Sequence, residues 1–262
     1  MLSVIIYRNI KNKRNIILII KGEMILENYN EFLDRINSFE KLNFSLEQKF
    51  FTPDLSIKSK VNEKNEFENF YGDTVVFDLD EKTKNRIGNI IEILYKEVPQ
   101  CFCEKRVTDT LHMTLHDLTS SIEKGKIEHE MDNNLNKLKE LLKNNPILDE
   151  KIKMRTNFIT DFGHVNLVLA LCPINEEEYK KIMQIRNVID SVKELDYKFS
   201  PHITLAYFNR NGFDIESVNK LTNAVRKLNS ECDFDVILDT KQIFYQRFKN
   251  MNCYENLYKF VK

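Results

Sequence analysis

Apolar positions along this chain recur with two periods, close to two and close to 3.6 residues, and the switches between them divide it into elements. Tyr29, Phe32, Leu33, Ile36 and Phe39 repeat at helical spacing and predict an amphipathic helix over 28–40. Ahead of it, apolar runs at 2–7 and 16–20, separated by the polar stretch 8–15, predict two short strands. Lys58, Lys60, Glu63, Lys64, Glu66 and Glu68 surround few apolar positions, so 56–69 reads as a solvated connection. The expected organisation is therefore an N-terminal extension over 1–69, with short strands and one helix, followed by a main domain over 70–262.

The main domain alternates regularly. A β-branched run at 74–79 predicts a strand; Ile87, Ile91, Leu94 and Val98 mark a helix over 81–97, which Pro99 ends. A strand at 111–116, a helix over 129–144 and a strand at 152–160 follow. The order then repeats: strand 165–172, helix 176–193 opened by Asn175 and Glu178 at capping-box spacing, strand 201–208, helix 214–229, and a strand over 234–248 with a bend inside. No Gly-rich strand-to-helix turn is present to cradle a dinucleotide, which argues against a doubly wound parallel sheet. The expected fold class is α+β, with two pseudo-symmetric lobes of antiparallel-rich sheets around a central cleft and helices outside.

Composition narrows the function classes. Thirty-nine Lys and Arg against 40 Asp and Glu leave a net charge of -1, so no global basic field suits duplex DNA or an anionic membrane. The apolar run at 16–20 is far short of the roughly 20 residues of a membrane span. Five cysteines, odd in number and without a CxxC pair, predict reduced thiols and a cytoplasmic setting.

Two of the five histidines open nearly identical tetrads, His112-Met113-Thr114-Leu115 and His202-Ile203-Thr204-Leu205, each at the third element of its half. On the chain's own Thr and Leu frequencies, such a coincidence arises roughly once in several thousand shuffles. A lone strand histidine is usually structural, but a matched pair in matched halves points to a site. In a regular strand, residues i and i+2 share a face, so each tetrad presents an imidazole and a hydroxyl together. Paired side by side, the strands offer one cleft two imidazoles, able to act as general base and general acid near neutral pH, and two hydroxyls able to hold an anion. In-line phosphoryl transfer without a metal fits that set best. A zinc set of His112, His116 and His202 has no carboxylate or cysteine spacing to complete it.

The paired His-apolar-Thr-apolar tetrads, about 90 residues apart, resemble those of the 2H phosphoesterase superfamily, which includes bacterial 2'-5' RNA ligase-like proteins and cyclic phosphodiesterases. Phe70-Tyr71-Gly72-Asp73-Thr74-Val75-Val76 and Phe199-Ser200-Pro201-His202-Ile203-Thr204-Leu205-Ala206-Tyr207 further resemble an uncharacterised branch of it, and the likeness spans roughly 70–250. The resemblance implies a bilobal α+β fold, His112 and His202 as the catalytic pair, Thr114 and Thr204 as phosphate-binding hydroxyls, and no cofactor. It implies hydrolysis of a cyclic phosphate or 2'-5' phosphodiester in an RNA end, oligonucleotide or small nucleotide, with a 2'-phosphate as the product from a 2',3'-cyclic phosphate. The alternatives are a non-catalytic RNA or nucleotide-binding module and degradation of cyclic oligonucleotide signals. Further substrate contacts are expected from His116, on the His112 face, from Phe208, on the His202 face while Tyr207 alternates away, and from Tyr245 and Arg247 for base stacking and phosphate contact. Arg155 and Arg186 are expected on surfaces, and a monomer is expected.

Overall fold

The computed structural model describes residues 27–40 and 50–261, together with the backbone of a small antiparallel pair, β1 (Ile19–Ile20) and β2 (Glu23–Met24). The strand expected at 2–7 and most of the one at 16–20 lie outside the described residues. Helix α1 (Tyr29–Asn37) starts where the sequence places it. Asn28 accepts from the Glu31 amide while Glu31 reaches back to the Asn28 amide, a complete capping box. Its apolar stripe, Phe32 and Ile36, is buried against Phe158, Ala170 and Tyr179 of the main body.

The remaining order is β3 (Phe50–Phe51), β4 (Tyr71–Asp78), α2 (Glu81–Glu97), β5 (His112–Ser121), α3 (Lys124–Asn144), β6 (Lys151–Phe162), β7 (Asn166–Pro173), α4 (Glu176–Asp190), β8 (His202–Tyr207), β9 (Phe213–Asp214), α5 (Ile215–Glu231), β10 (Asp235–Asp239), β11 (Ile243–Asn250) and β12 (Cys253–Lys259). Two four-stranded sheets result, ordered β12-β11-β4-β5 and β10-β6-β7-β8, and every pairing in them is antiparallel. The α+β class and the antiparallel lobes are as expected.

The two sequence halves do not each build one lobe, however. The closing strand of the first half, β6, pairs with β7, and the closing strand of the second half, β11, pairs with β4. A hairpin explains the first exchange: only 163–165 separate β6 from β7, and Gly163 takes the positive φ of +67° that the tight turn demands. The bend expected within 234–248 is the second crossing. At Thr240–Gln242 the chain leaves one sheet and enters the other, and the buried Thr240 hydroxyl is tied to the Leu148 and Glu150 carbonyls.

This exchange leaves β5 and β8 as the inner edges of their sheets, against each other at the centre of the molecule. Met113, Leu115, Ile203 and Leu205 lock them to one apolar core shared by both lobes. The stretch 56–69 corrects the expectation of a solvated connection. Ile57 and Val61 are fully buried with Cys103, Tyr207 and Met251, worth about 1.5–3 kcal/mol for each aliphatic side chain, and β3 pairs with β9. Among the described residues no helix is long and apolar enough to cross a membrane.

Candidate active site

Each histidine is fixed in the same way. His112 Nδ1 lies 2.8 Å from the Thr110 carbonyl oxygen and His202 Nδ1 lies 2.7 Å from that of Ser200, in both cases two residues back along the chain. A carbonyl oxygen can only accept, so each Nδ1 carries the hydrogen and each Nε2 is left with a lone pair. Among the described residues neither Nε2 makes a hydrogen bond. The Tyr254 ring meets His112 edge-on at 4.9 Å, and Phe162 lies tilted against His202 at 4.6 Å.

Burial disfavours the charged form of both rings. It pulls His112 down to about 3, helped by the Arg106 guanidinium, and a proton on His202 also works against one on His112. Burial lowers His202 as well, with Asp117 acting in the opposite sense. Both imidazoles are therefore held neutral and in one tautomer.

The two threonines lie beside them: Thr114 borders the cavities of both histidines and Thr204 that of His112. Both line a polar cavity of about 300 Å³ that also takes in Lys60, Arg106, His112 and Tyr254. His202 opens onto an adjoining apolar cavity of about 610 Å³, walled by Phe39, Phe162 and Phe199. Thr114, Asp117 and Tyr197 border both cavities, and the Tyr197 hydroxyl donates to Asp117 Oδ2 at 2.6 Å. The Thr204 hydroxyl oxygen accepts from Asn166 Nδ2 at 3.2 Å, which leaves its own hydrogen for another acceptor.

The other expected contacts are corrected, two of them by one device. In β5 the register against β4 skips Leu115, and in β8 the register against β7 skips Leu205. The final leucine of each tetrad is thus the extra residue of a β-bulge, which reverses the alternation beyond it. His116 accordingly leaves the His112 side. It is buried, with Nε2 2.8 Å from Asp190 of α4 and Nδ1 on the Asp117 carbonyl; it borders the apolar cavity with His202 and not the polar one, and among the described residues it joins no metal-holding cluster. Phe208 turns into the core among Phe51, Phe102 and Phe213, and Tyr207 takes the cleft position instead. The position five residues after each histidine, Asp117 in one lobe and Tyr207 in the other, faces the site.

Tyr245 and Arg247 pair with Val75 and Asp73 of β4 and lie on the helix side of the sheet. The buried Tyr245 hydroxyl bridges Asp73 and the Met131 carbonyl, and Arg247 binds Asp132 of α3. Neither reaches the cleft. Arg186 is buried rather than superficial: it donates to the Leu115 carbonyl at the bulge and stacks on Phe199. Arg155 pairs on the surface with Asp233, as expected.

Sequence reasoning missed Lys60, Arg106, Asp117, Tyr197 and Tyr254. Asp117 and Tyr207 follow from the bulges. Lys60, Arg106 and Tyr254 arrive from loops and an edge strand whose pattern gives no period to read.

No family model matches the chain, and no curated protein matches it. Solved structures do. The conserved protein of unknown function ATU0111 from Agrobacterium tumefaciens str. C58 is similar over 80% of this chain and 94% of its own, at 17% identity and a TM-score of 0.64. TT0787 of Thermus thermophilus is similar over 72% of this chain and 96% of its own, at 15% identity and a TM-score of 0.46. E. coli LigT, solved with 3'-AMP, is similar over 72% and 97%, at 15% identity and a TM-score of 0.44. At these identities the likeness is one of architecture, and the chain has a bilobal α+β fold similar to that of the Agrobacterium tumefaciens protein.

Proposed function

We propose that this protein is a metal-independent phosphoesterase of the 2H type, opening a cyclic phosphate or cleaving a 2'-5' phosphodiester in an RNA end, oligonucleotide or small nucleotide. The observation that carries the reading is the matched pair of Nδ1-locked imidazoles on the two abutting inner strands, each with a threonine hydroxyl two residues on.

An arriving phosphodiester brings one negative charge between two neutral rings and so favours protonation of one of them. In hydrolysis the neutral Nε2 takes a proton from water as the water oxygen bonds to phosphorus. The bond from phosphorus to the ribose oxygen breaks on the far side, and the imidazolium Nε2 gives its proton to that oxygen. One water is consumed, and the pair ends with the proton on the opposite ring. Thr114 and Thr204 donate to the non-bridging oxygens, where charge grows in the transition state. Acid, base and anion stabilisation are all supplied by these four side chains, so the scheme has no step for a metal.

The test is a product-resolved screen of cyclic and 2'-5'-linked nucleotides in EDTA, with wild type and the double variant H112A/H202A. Wild type is expected to give a phosphomonoester and the double variant none. Undiminished turnover in both single variants overturns the mechanism. Tight binding without any product assigns the cleft to recognition alone.

A further inference from the structure

Among the described residues, two cations in the polar cavity, Lys60 and Arg106, make no ion pair. Lys60 closes the short 3-10 turn Leu55–Ser59, and its ammonium rests over the rings of Phe70 and Tyr207, 5.4 and 5.6 Å from their centroids. Among the described residues that ammonium makes no hydrogen bond and no ion pair. Arg106 is 4% exposed; its Nη2 donates to the carbonyl and hydroxyl of Thr110, while its buried Nε has no hydrogen-bond partner among the described residues. Its guanidinium lies 5.7 Å from the Tyr254 ring centroid, on the His112 side.

Both are held in place by the fold. The Lys60 loop is fastened by the Val61–Phe67 bridge and by Arg210 on the Val61 carbonyl. The Arg106 loop is fastened by Asn252, which binds the Val107 amide and the Lys105 carbonyl. Burying cations without counter-ions is costly, and burial pulls the Lys60 ammonium down accordingly. A site that holds such groups ready is built for an anion.

Charge counting says which anion. Lys60 and Arg106 contribute two positive charges, and the cavity's Asp117, already bonded to Tyr197, contributes one negative; the other lining carboxylate, Asp73, is taken up by the Thr119 amide, Asn134 and the Tyr245 hydroxyl, and burial raises it toward the neutral form. The scissile phosphodiester is balanced by the imidazolium it induces, so one positive charge is left over. On the His202 side each lining cation has a carboxylate beside it: Arg35 and Lys198 both pair with Glu27, and Arg186, spent on the Leu115 carbonyl, lies near Asp190.

We propose that Lys60 and Arg106 form a second anion subsite on the His112 side of the cleft, so that the preferred substrate carries a second phosphoryl group beside the one cleaved. This rests on the phosphoesterase reading for the position of the first phosphate. It favours a nucleotide or oligonucleotide end bearing a further phosphate over a plain nucleoside cyclic phosphate.

The experiment is calorimetry with adenosine 2'-monophosphate and adenosine 2',5'-bisphosphate, two probes sharing a base and sugar. Wild type is expected to bind the bisphosphate roughly 10- to 100-fold more tightly, the range of one or two charge-assisted contacts. K60M, close in volume, and R106M are each expected to bring the ratio to within about threefold, while K60R keeps most of it. Urea midpoints identify any variant that is unfolded. A wild-type ratio near one, or a ratio that survives in folded K60M and R106M, overturns the subsite. Hydrolysis of adenosine 2',3'-cyclic phosphate is measured separately. A clear bisphosphate preference in a protein that never turns over a cyclic phosphate keeps the subsite and removes the phosphoesterase reading.

Discussion

Burial of His112 makes a prediction that needs no substrate. In the folded protein this imidazole is pulled down to about 3, first by desolvation and then by Arg106, whereas in the unfolded chain it titrates near 6.5. Between those values the unfolded chain binds a proton that the folded one refuses, so unfolding becomes easier as pH falls through the window. Integrated from about pH 8 to about pH 4.5, this single group costs about 2.7 kcal/mol of stability, and the figure depends only on the folded value lying below 4.5. H112Q keeps a side chain of similar size and removes the titration. Urea unfolding of both proteins at the two pH values, analysed with a common slope, isolates the difference, because carboxylates and the other histidines are common to both. Wild type is expected to lose about 2–3 kcal/mol more than H112Q on acidification. Parallel losses, agreeing to about 0.5 kcal/mol, refute a desolvated neutral imidazole and with it the electrostatic state assigned to the resting site.

The catalytic pair gives the next expectation: H112A and H202A each lower kcat/KM roughly 100- to 10,000-fold in a steady-state assay with a cyclic nucleotide, with no response to EDTA. T114V and T204V each lose one hydrogen bond to the phosphate, and kcat/KM is expected to drop about 10-fold while the urea midpoint moves little for T114V; for T204V the midpoint falls slightly more, because Asn166 loses its acceptor. Y245F strips a hydroxyl from the buried Asp73, which Thr119 and Asn134 then satisfy alone, and is expected to cost about 1–3 kcal/mol in urea with KM unchanged, since Tyr245 itself lines neither cavity.

Much of the fold was legible because long helices and buried strands carry their own period. Helix α2 spans 81–97 as the spacing of Ile87, Ile91 and Leu94 requires, and α4 opens on its Asn175 cap, which accepts from the Glu178 amide. Strand β12 was not legible: it is an edge strand, exposed at Cys253, Glu255, Asn256, Leu257 and Lys259, with no apolar alternation. Charged residues around Lys60 disguised 56–69 as a solvated connection, although Ile57 and Val61 are two of the most deeply buried positions in the molecule. The exchange of closing strands was hidden for another reason. A periodic pattern says that a segment is a strand but not which sheet it enters, and that choice fell to the short turn at Gly163 and the crossing at Thr240.

The site was legible up to the second polar residue of each tetrad and no further, and the bulges account for where it stopped. Alternation is a rule about regular pairing, and one inserted residue reverses every side chain beyond it. The insertion occurs at Leu115 in one lobe and Leu205 in the other, so it belongs to the repeated unit and is not a local accident. Its geometry is secured from outside the strand in the first lobe. Arg186 of α4 caps the Leu115 carbonyl, and Asp190, one helical turn later, holds His116 at the wall of the apolar cavity and off the polar one. The strand is thereby free to place Asp117 in the polar cavity, where its carboxylate accepts from Tyr197 and offsets one of the two cations. In the second lobe the same step places Tyr207, whose ring carries the Lys60 ammonium. Equivalent positions thus hold a carboxylate in one lobe and an aromatic ring in the other, so a symmetric pair of imidazoles sits in an asymmetric field. That asymmetry gathers Lys60 and Arg106 on the His112 side and the apolar walls on the His202 side, so under the proposed function a substrate with one anionic and one apolar end is expected to bind in one direction.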